Sequence, residues 1–134
     1  MAKKGFVAHL ESETEKNTDF RRVLYTGRNS QLVLMSLEPG EEIGAEVHKD
    51  RDQFFRFESG EGAVFIDGAR HNVRGGDGVI VPAGARHNVV NTSKKEKLRI
   101  YTIYSPPEHQ DGVVRRTKAD AEAQPEEYDG KPTE

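Results

Sequence analysis

Apolar residues in this chain come in short runs parted by glycine, proline, aspartate and asparagine. Residues 31–37 (QLVLMSL) form one run, stopped by Pro39-Gly40. Residues 53–57 (QFFRF) are rich in aromatic side chains, as strands are. Residues 62–66 (GAVFI) meet Asp67-Gly68 and then residues 69–74. An Asp-Gly pair between two such runs is a strong signal for a two-residue hairpin. Residues 77–81 (DGVIV) run into Pro82, which has no N–H to give a ladder and so ends the strand. Residues 86–91 and 98–104 (LRIYTIY) complete the series, parted by the polar loop Thr92 to Lys97. Short strands at regular intervals with this punctuation predict an all-β sandwich or barrel. No central segment of about ten residues or more carries a helical period.

The ends read differently. Residues 1–30 are expected to form an N-terminal arm with an edge strand, and residues 106–134 a polar C-terminal tail. Within the arm, residues 11–19 (ESETEKNTD) are polar and read as loop. Residues 117–123 (TKADAEA) predict a short helix, with Thr117 as N-cap and Asp120 at the capping-box position. Residues 124–134 are polar, contain two prolines, and are expected to fray.

A length of 134 residues fits one domain. Charged residues (32%) nearly match hydrophobic ones (34%), so the core has to be compact. The net charge of −3 comes with no basic run of the kind that phosphate neutralisation needs, which argues against nucleic acid as a partner. Without cysteine there is no disulfide frame, thiolate metal site or thiol nucleophile. The N-terminal MAKKGFVAHL lacks a signal-peptide core, and no segment approaches the roughly 20 apolar residues of a membrane helix. A cytoplasmic protein without membrane association is the expectation.

Two blocks carry the chemistry. Residues 76–91 read GDGVIVPAGARHNVVN, placing Gly76, Pro82, Gly84, His87 and Asn91 at set intervals. Residues 40–60 read GEEIGAEVHKDRDQFFRFESG, with Glu46, His48 and Gln53 between two glycines. Together they resemble the two sequence motifs of the cupin superfamily, over about residues 31–105. The resemblance implies a single small antiparallel β-barrel, a jelly roll, holding one metal ion inside. The second block fits the family pattern at every defined position. The first departs from it: the usual His-x-His is Glu46-x-His48, and the usual glutamate is Gln53. The family's three histidines and one glutamate carry one formal negative charge, and so do Glu46, His48, Gln53 and His87. The substitutions therefore move the carboxylate to another ligand position and keep the charge of the site.

Strand alternation is consistent with that assignment, because side chains two apart share a face. Glu46 with His48, Gln53 with Phe55 and Phe57, and His87 with Val89 and Asn91 form three such sets. Turned inward together, they would gather four donors from three strands in an apolar interior. Two imidazoles, one carboxylate and one amide oxygen, with no sulfur, suit a divalent ion such as Zn, Mn, Fe, Co or Ni. The sequence GARHNV occurs at 68–73 and again at 84–89, but only the second copy lies in the Pro-x-Gly-x-x-His frame, so His87 and not His71 is the candidate ligand. Gly76, Pro82, Gly84 and Asn91 read as scaffold. Gly60-x-Gly62 lacks the rest of a dinucleotide loop, and the serines lack a nucleophile-elbow context. His109, after Pro106-Pro107-Glu108, reads as an exposed loop residue. Tyr101 and Tyr104 lie on opposite faces of one strand, and the pattern leaves open which of them faces inward.

Among cupins, short single-domain chains of this layout look like those called mannose-6-phosphate isomerase-like. Zinc phosphomannose isomerases use a glutamine, two histidines and a glutamate; the same residue types occur here with Glu and Gln exchanged. Those enzymes are much longer, and this chain lacks their extra domains. The resemblance implies a metal-binding protein acting on a small molecule, with sugar-phosphate isomerisation as one reading. The alternatives are a metal-dependent oxygenase and a non-enzymatic small-molecule or sugar-binding barrel with a structural metal. It also implies a homodimer, with Phe6, Val7 and Leu10 adding a strand either to a partner's sheet or to the chain's own.

Overall fold

The computed structural model describes residues 2–134. Ten strands form two antiparallel sheets that face each other across one core. In chain order they are β1 (Arg21–Thr26), β2 (Gln31–Leu37), β3 (Glu46–Val47), β4 (Asp52–Ser59), β5 (Glu61–Ile66), β6 (Ala69–Arg74), β7 (Gly78–Val81), β8 (Arg86–Asn91), β9 (Leu98–Ser105) and β10 (Val114–Arg115). The larger sheet has the order β10-β1-β2-β9-β4-β7 and the smaller one β3-β8-β5-β6. Each apolar run of the sequence is a strand. Asp67 and Gly68 form the predicted tight turn, both with positive φ (46° and 84°), the geometry for which Asp-Gly is suited.

Alternation decides the core. Val33, Met35 and Leu37 of β2, Phe55 and Phe57 of β4, Val64 of β5, Val89 of β8, and Leu98 and Ile100 of β9 all point inward and are buried. Fully burying a side chain of this size contributes about 1.5–3 kcal/mol. Their neighbours in sequence point outward, so one interior is shared by both sheets. Asn91 seals one corner of it. Its buried amide nitrogen reaches the carbonyls of Leu37, Glu38 and Glu96, and its oxygen accepts the Ser93 N–H.

The termini correct three expectations. Residues 11–16 of the expected polar loop lie in a helix, α1 (Leu10–Lys16). Its Thr14 is fully buried and bonds back to the Leu10 carbonyl at 2.7 Å. Glu15 ties the helix down through Ser59 Oγ (3.2 Å) and Arg99 (3.5 Å). Acidic Glu11 and Glu13 in the first turn and Lys16 in the last suit the helix dipole. Residues 6–9 form no strand in this chain, and Leu10 opens α1; Phe6 stacks on Tyr25 with ring centroids 5.7 Å apart. The strand of the arm is β1 instead. Finally, the C-terminal tail, expected to be free, lies along the barrel. Thr133 exchanges two bonds of 2.8 Å with Thr26, and Tyr128 N–H donates to the Glu108 carbonyl at 2.9 Å. These attachments are polar, and apolar patterning does not register them. The second helix, α2 (Lys118–Ala123), stands where predicted, with Thr117 Oγ accepting the Asp120 N–H at 3.0 Å.

Gly60 links β4 to β5 at φ +98°, and a Cβ there would lie 2.5 Å from the Lys97 carbonyl oxygen. Gly40, at φ +76°, has nothing within 4 Å. Gly40→Ala should therefore cost only the backbone strain of about 1–2 kcal/mol. Gly60→Ala adds a backbone clash and should cost clearly more. Urea midpoints of the two variants check the ranking, and equal losses would contradict it.

Candidate metal centre

Three of the four expected ligands come together. Antiparallel pairing of β3 with β8 sets Glu46 directly across from His87. His48 follows β3 by one residue and shares the inward face with Glu46. Donor atoms of Glu46, His48 and His87 all lie within 4.8 Å of one another, and the two imidazole centroids are 5.2 Å apart. The two motifs are joined by backbone as well: Gly84 N–H donates to the His48 carbonyl at 2.8 Å. Asp52 holds the same turn by accepting the Ala83 N–H at 2.9 Å. His71, the copy rejected on frame, is exposed on β6.

Gln53 enters the same interior from β4 and is only 2% exposed. Its amide nitrogen donates to Thr102 Oγ1 at 3.0 Å, whereas its buried Oε1 has no hydrogen-bond partner among the described residues. An unpaired buried acceptor costs about 1–3 kcal/mol. A cation ligated through that oxygen would remove the cost, so the donor set fits a metal ion.

Each ring is oriented by its second nitrogen. His87 Nδ1 faces the Ala85 carbonyl at 3.3 Å, which as an acceptor calls for Nδ1–H and leaves the Nε2 lone pair free. Burial pushes the His87 pKa down, so the ring is neutral and able to ligate. His48 lies between two carboxylates, with Glu46 Oε2 3.1 Å from Nε2 and Glu108 Oε2 3.2 Å from Nδ1. Burial alone would lower its pKa. The hydrogen bonds and charges of Glu108 and Glu46 outweigh that and raise it to about 9. Glu108 in turn accepts Arg51 at 2.8 Å. Burial works against its ionisation, but His48 and Arg51 hold its pKa below the ordinary range.

A second polar chain flanks the first. Tyr104, opposite Gln53 in the β4–β9 register, faces inward and sets its ring edge-on to His48 at 5.8 Å. Burial pushes its hydroxyl well above the usual phenol range, so it stays protonated. The hydroxyl lies 3.2 Å from His109 Nε2, and His109 Nδ1 lies 3.1 Å from Glu126. His109 is thus no exposed loop residue: it is 7% exposed and belongs to the wall of the site. Sequence reasoning missed Glu108 and Glu126 as well. The double proline ahead of Glu108 hides the return of the chain to the barrel, and no spacing rule links positions 108 and 126 to position 48 or 104.

A separate concavity lies elsewhere on the surface. A groove of about 510 Å³ lies on the outer face of the smaller sheet, with Phe65, Arg86, Asn88 and Val90 among its walls; of the clustered residues only His87 borders it.

The two carboxylates flanking His48 set a pH dependence. A group with its folded pKa raised stabilises fully below its unfolded value, here 6.5, and loses that contribution as pH climbs through about 9. Metal-free protein should lose on the order of 3 kcal/mol of stability over that interval. Urea unfolding after chelator treatment checks this, and His48→Gln should flatten the alkaline limb. A flat native profile would contradict the pairing.

The family model of the cupin domain matches residues 33–104, more than half of the chain. Protein YrkC of Bacillus subtilis is 44% identical over 126 residues, which cover 90% of this chain and 67% of YrkC. Protein L612 of Acanthamoeba polyphaga mimivirus is 41% identical over 113 residues, 81% of this chain and 70% of L612. The crystal structure of BH2720 from Bacillus halodurans superposes with a TM-score of 0.87 at 42% identity, covering 90% of this chain and 96% of that one. Among the described residues no helix is long and apolar enough to cross a membrane. With the family match, the two facing sheets and the interior histidines in agreement, the chain belongs to the cupin family.

Proposed function

We propose that the barrel binds one divalent metal ion through Glu46, His48, His87 and Gln53, and that this centre acts on a small molecule. The observation that carries the reading is the buried, unpaired Gln53 Oε1 in an interior that also gathers a carboxylate and two imidazoles. A barrel built only for stability could place Val, Leu or Phe at the buried positions 53 and 87, since a buried polar group is costly unless it finds a partner.

When bound, such an ion polarises a carbonyl or stabilises an enediolate as a Lewis acid. The chain supplies the rest. Tyr104 keeps a proton that it can share with a ligand oxygen, and carboxylates lie within the same wall. A Lewis acid with proton donors and acceptors beside it is the equipment of aldose–ketose isomerisation, which makes a sugar or sugar phosphate the first substrate class to test. Two histidines and one carboxylate are also the ligand type of oxygen-using iron sites, and that observation favours a second reading, oxidation of an organic substrate. A homodimer is part of the proposal: Val7 (95% exposed) and Ile80 (66%) leave apolar surface that a second copy would cover.

Metal analysis of protein purified without added metal should return about one ion per chain. His87→Ala should lose most of it and His71→Ala none. Glu46→Gln should weaken binding more than Gln53→Ala, because it removes the only ligand charge. Full occupancy in His87→Ala would refute the site. Zinc- or manganese-loaded protein should interconvert a sugar or sugar phosphate, or iron-loaded protein should consume oxygen with an organic substrate. If neither turnover nor ligand binding appears with any metal, and metal removal sharply lowers Tm, the ion is structural. Light scattering should give about twice the chain mass, and a monomer would exclude the dimer.

A further inference from the structure

The family match ends at residue 104, yet the ring of His48 is oriented by a residue beyond it. His87 needs no outside help, since its Nδ1 meets the carbonyl of Ala85, the residue just ahead of its own strand. His48 stands at the end of a two-residue strand, and its side chain meets no backbone acceptor. An imidazole so placed is free to turn, and either nitrogen could face the interior. Glu108 Oε2, at 3.2 Å from Nδ1, removes that freedom.

Glu108 is itself fixed from several directions. Arg51 holds its second carboxylate oxygen at 2.8 Å. Its backbone N–H donates to Gln31 Oε1 at 3.2 Å, and its carbonyl accepts Tyr128 N–H at 2.9 Å. Gln31 is buried, and its amide also accepts the His109 N–H at 2.9 Å and donates to the His109 carbonyl at 2.6 Å. A surface ion pair with Arg51 would need none of these backbone bonds. The added fixing sets the position of the carboxylate relative to His48.

We propose that Glu108, from the segment that follows the barrel, is a positioning residue of the metal centre: it holds His48 as the Nδ1–H tautomer and aims Nε2 at Glu46 and His87. The proposal rests on the metal reading above. A carboxylate behind a ligating imidazole fixes the ring and raises its basicity, and loss of such a partner lowers metal affinity about 10- to 100-fold.

The test uses the full chain, stripped with a chelator and titrated with zinc against a chromophoric competitor. Glu108→Ala should bind zinc about 10- to 100-fold more weakly than the native protein. Glu108→Gln, which still offers an oxygen to Nδ1–H, should recover part of the loss and guards against a variant that does not fold. In zinc-loaded native protein, nitrogen-15 NMR should show His48 ligated through Nε2 with an exchange-protected Nδ1–H, and that proton signal should vanish in Glu108→Ala. A segment that only braces the fold would shift Tm and leave the tautomer and the proton signal unchanged. Native zinc affinity in Glu108→Ala, or ligation of His48 through Nδ1, overturns the proposal while leaving the metal centre standing. Native protein that takes up no zinc overturns both, and the native titration alone reveals that case.

Discussion

His48 is an imidazole held between two carboxylates inside a barrel, and most of the site's organisation answers to that arrangement. A carboxylate in such surroundings requires a positive partner or a metal. The ring sits between Glu46 and Glu108, and its raised pKa makes it the cation that serves both. On the proposed metal reading, ion and proton would compete for Nε2, and uptake of the ion would release that proton. His87 is prepared the opposite way: burial keeps it neutral, so it is ready to ligate. Two histidines 5.2 Å apart thus have opposite protonation preferences, set by which acceptors face them.

The strands were legible because burial on one face writes itself into the sequence with a period of two. Phe55 and Phe57 alternate with Phe54 and Arg56, and Leu98 and Ile100 with Arg99 and Tyr101. The turn at Asp67-Gly68 was legible because few other residue pairs tolerate its backbone. Glu46, His48 and His87 were legible from motif spacing, and the β3–β8 register brings them together. Helix α1 was not legible, since only Thr14 of its seven residues is buried, too little apolar periodicity to stand out from a loop.

The outer layer of the site was illegible for a different reason. Glu108 to His48, His109 to Tyr104 and Glu126 to His109 are contacts between polar side chains brought together by the path of the whole chain. Nothing local marks them. A histidine after two prolines has the composition of a surface loop, and only the return of the tail, with Thr133 on Thr26 and Tyr128 on Glu108, shows that this segment is wall. The inward choice between Tyr101 and Tyr104 was likewise settled by register, with Tyr104 opposite Gln53.

The Gln31 clamp has a further consequence. One buried amide on β2 holds the peptide that carries both Glu108 and His109, so the barrel presents a fixed socket and the tail a plug bearing charged groups. The candidate ligands come from the barrel's two motifs, whereas Glu108 and His109 come from a later segment pinned by that amide and by the buried Val113. A change at Gln31 would therefore reach the centre through the position of Glu108.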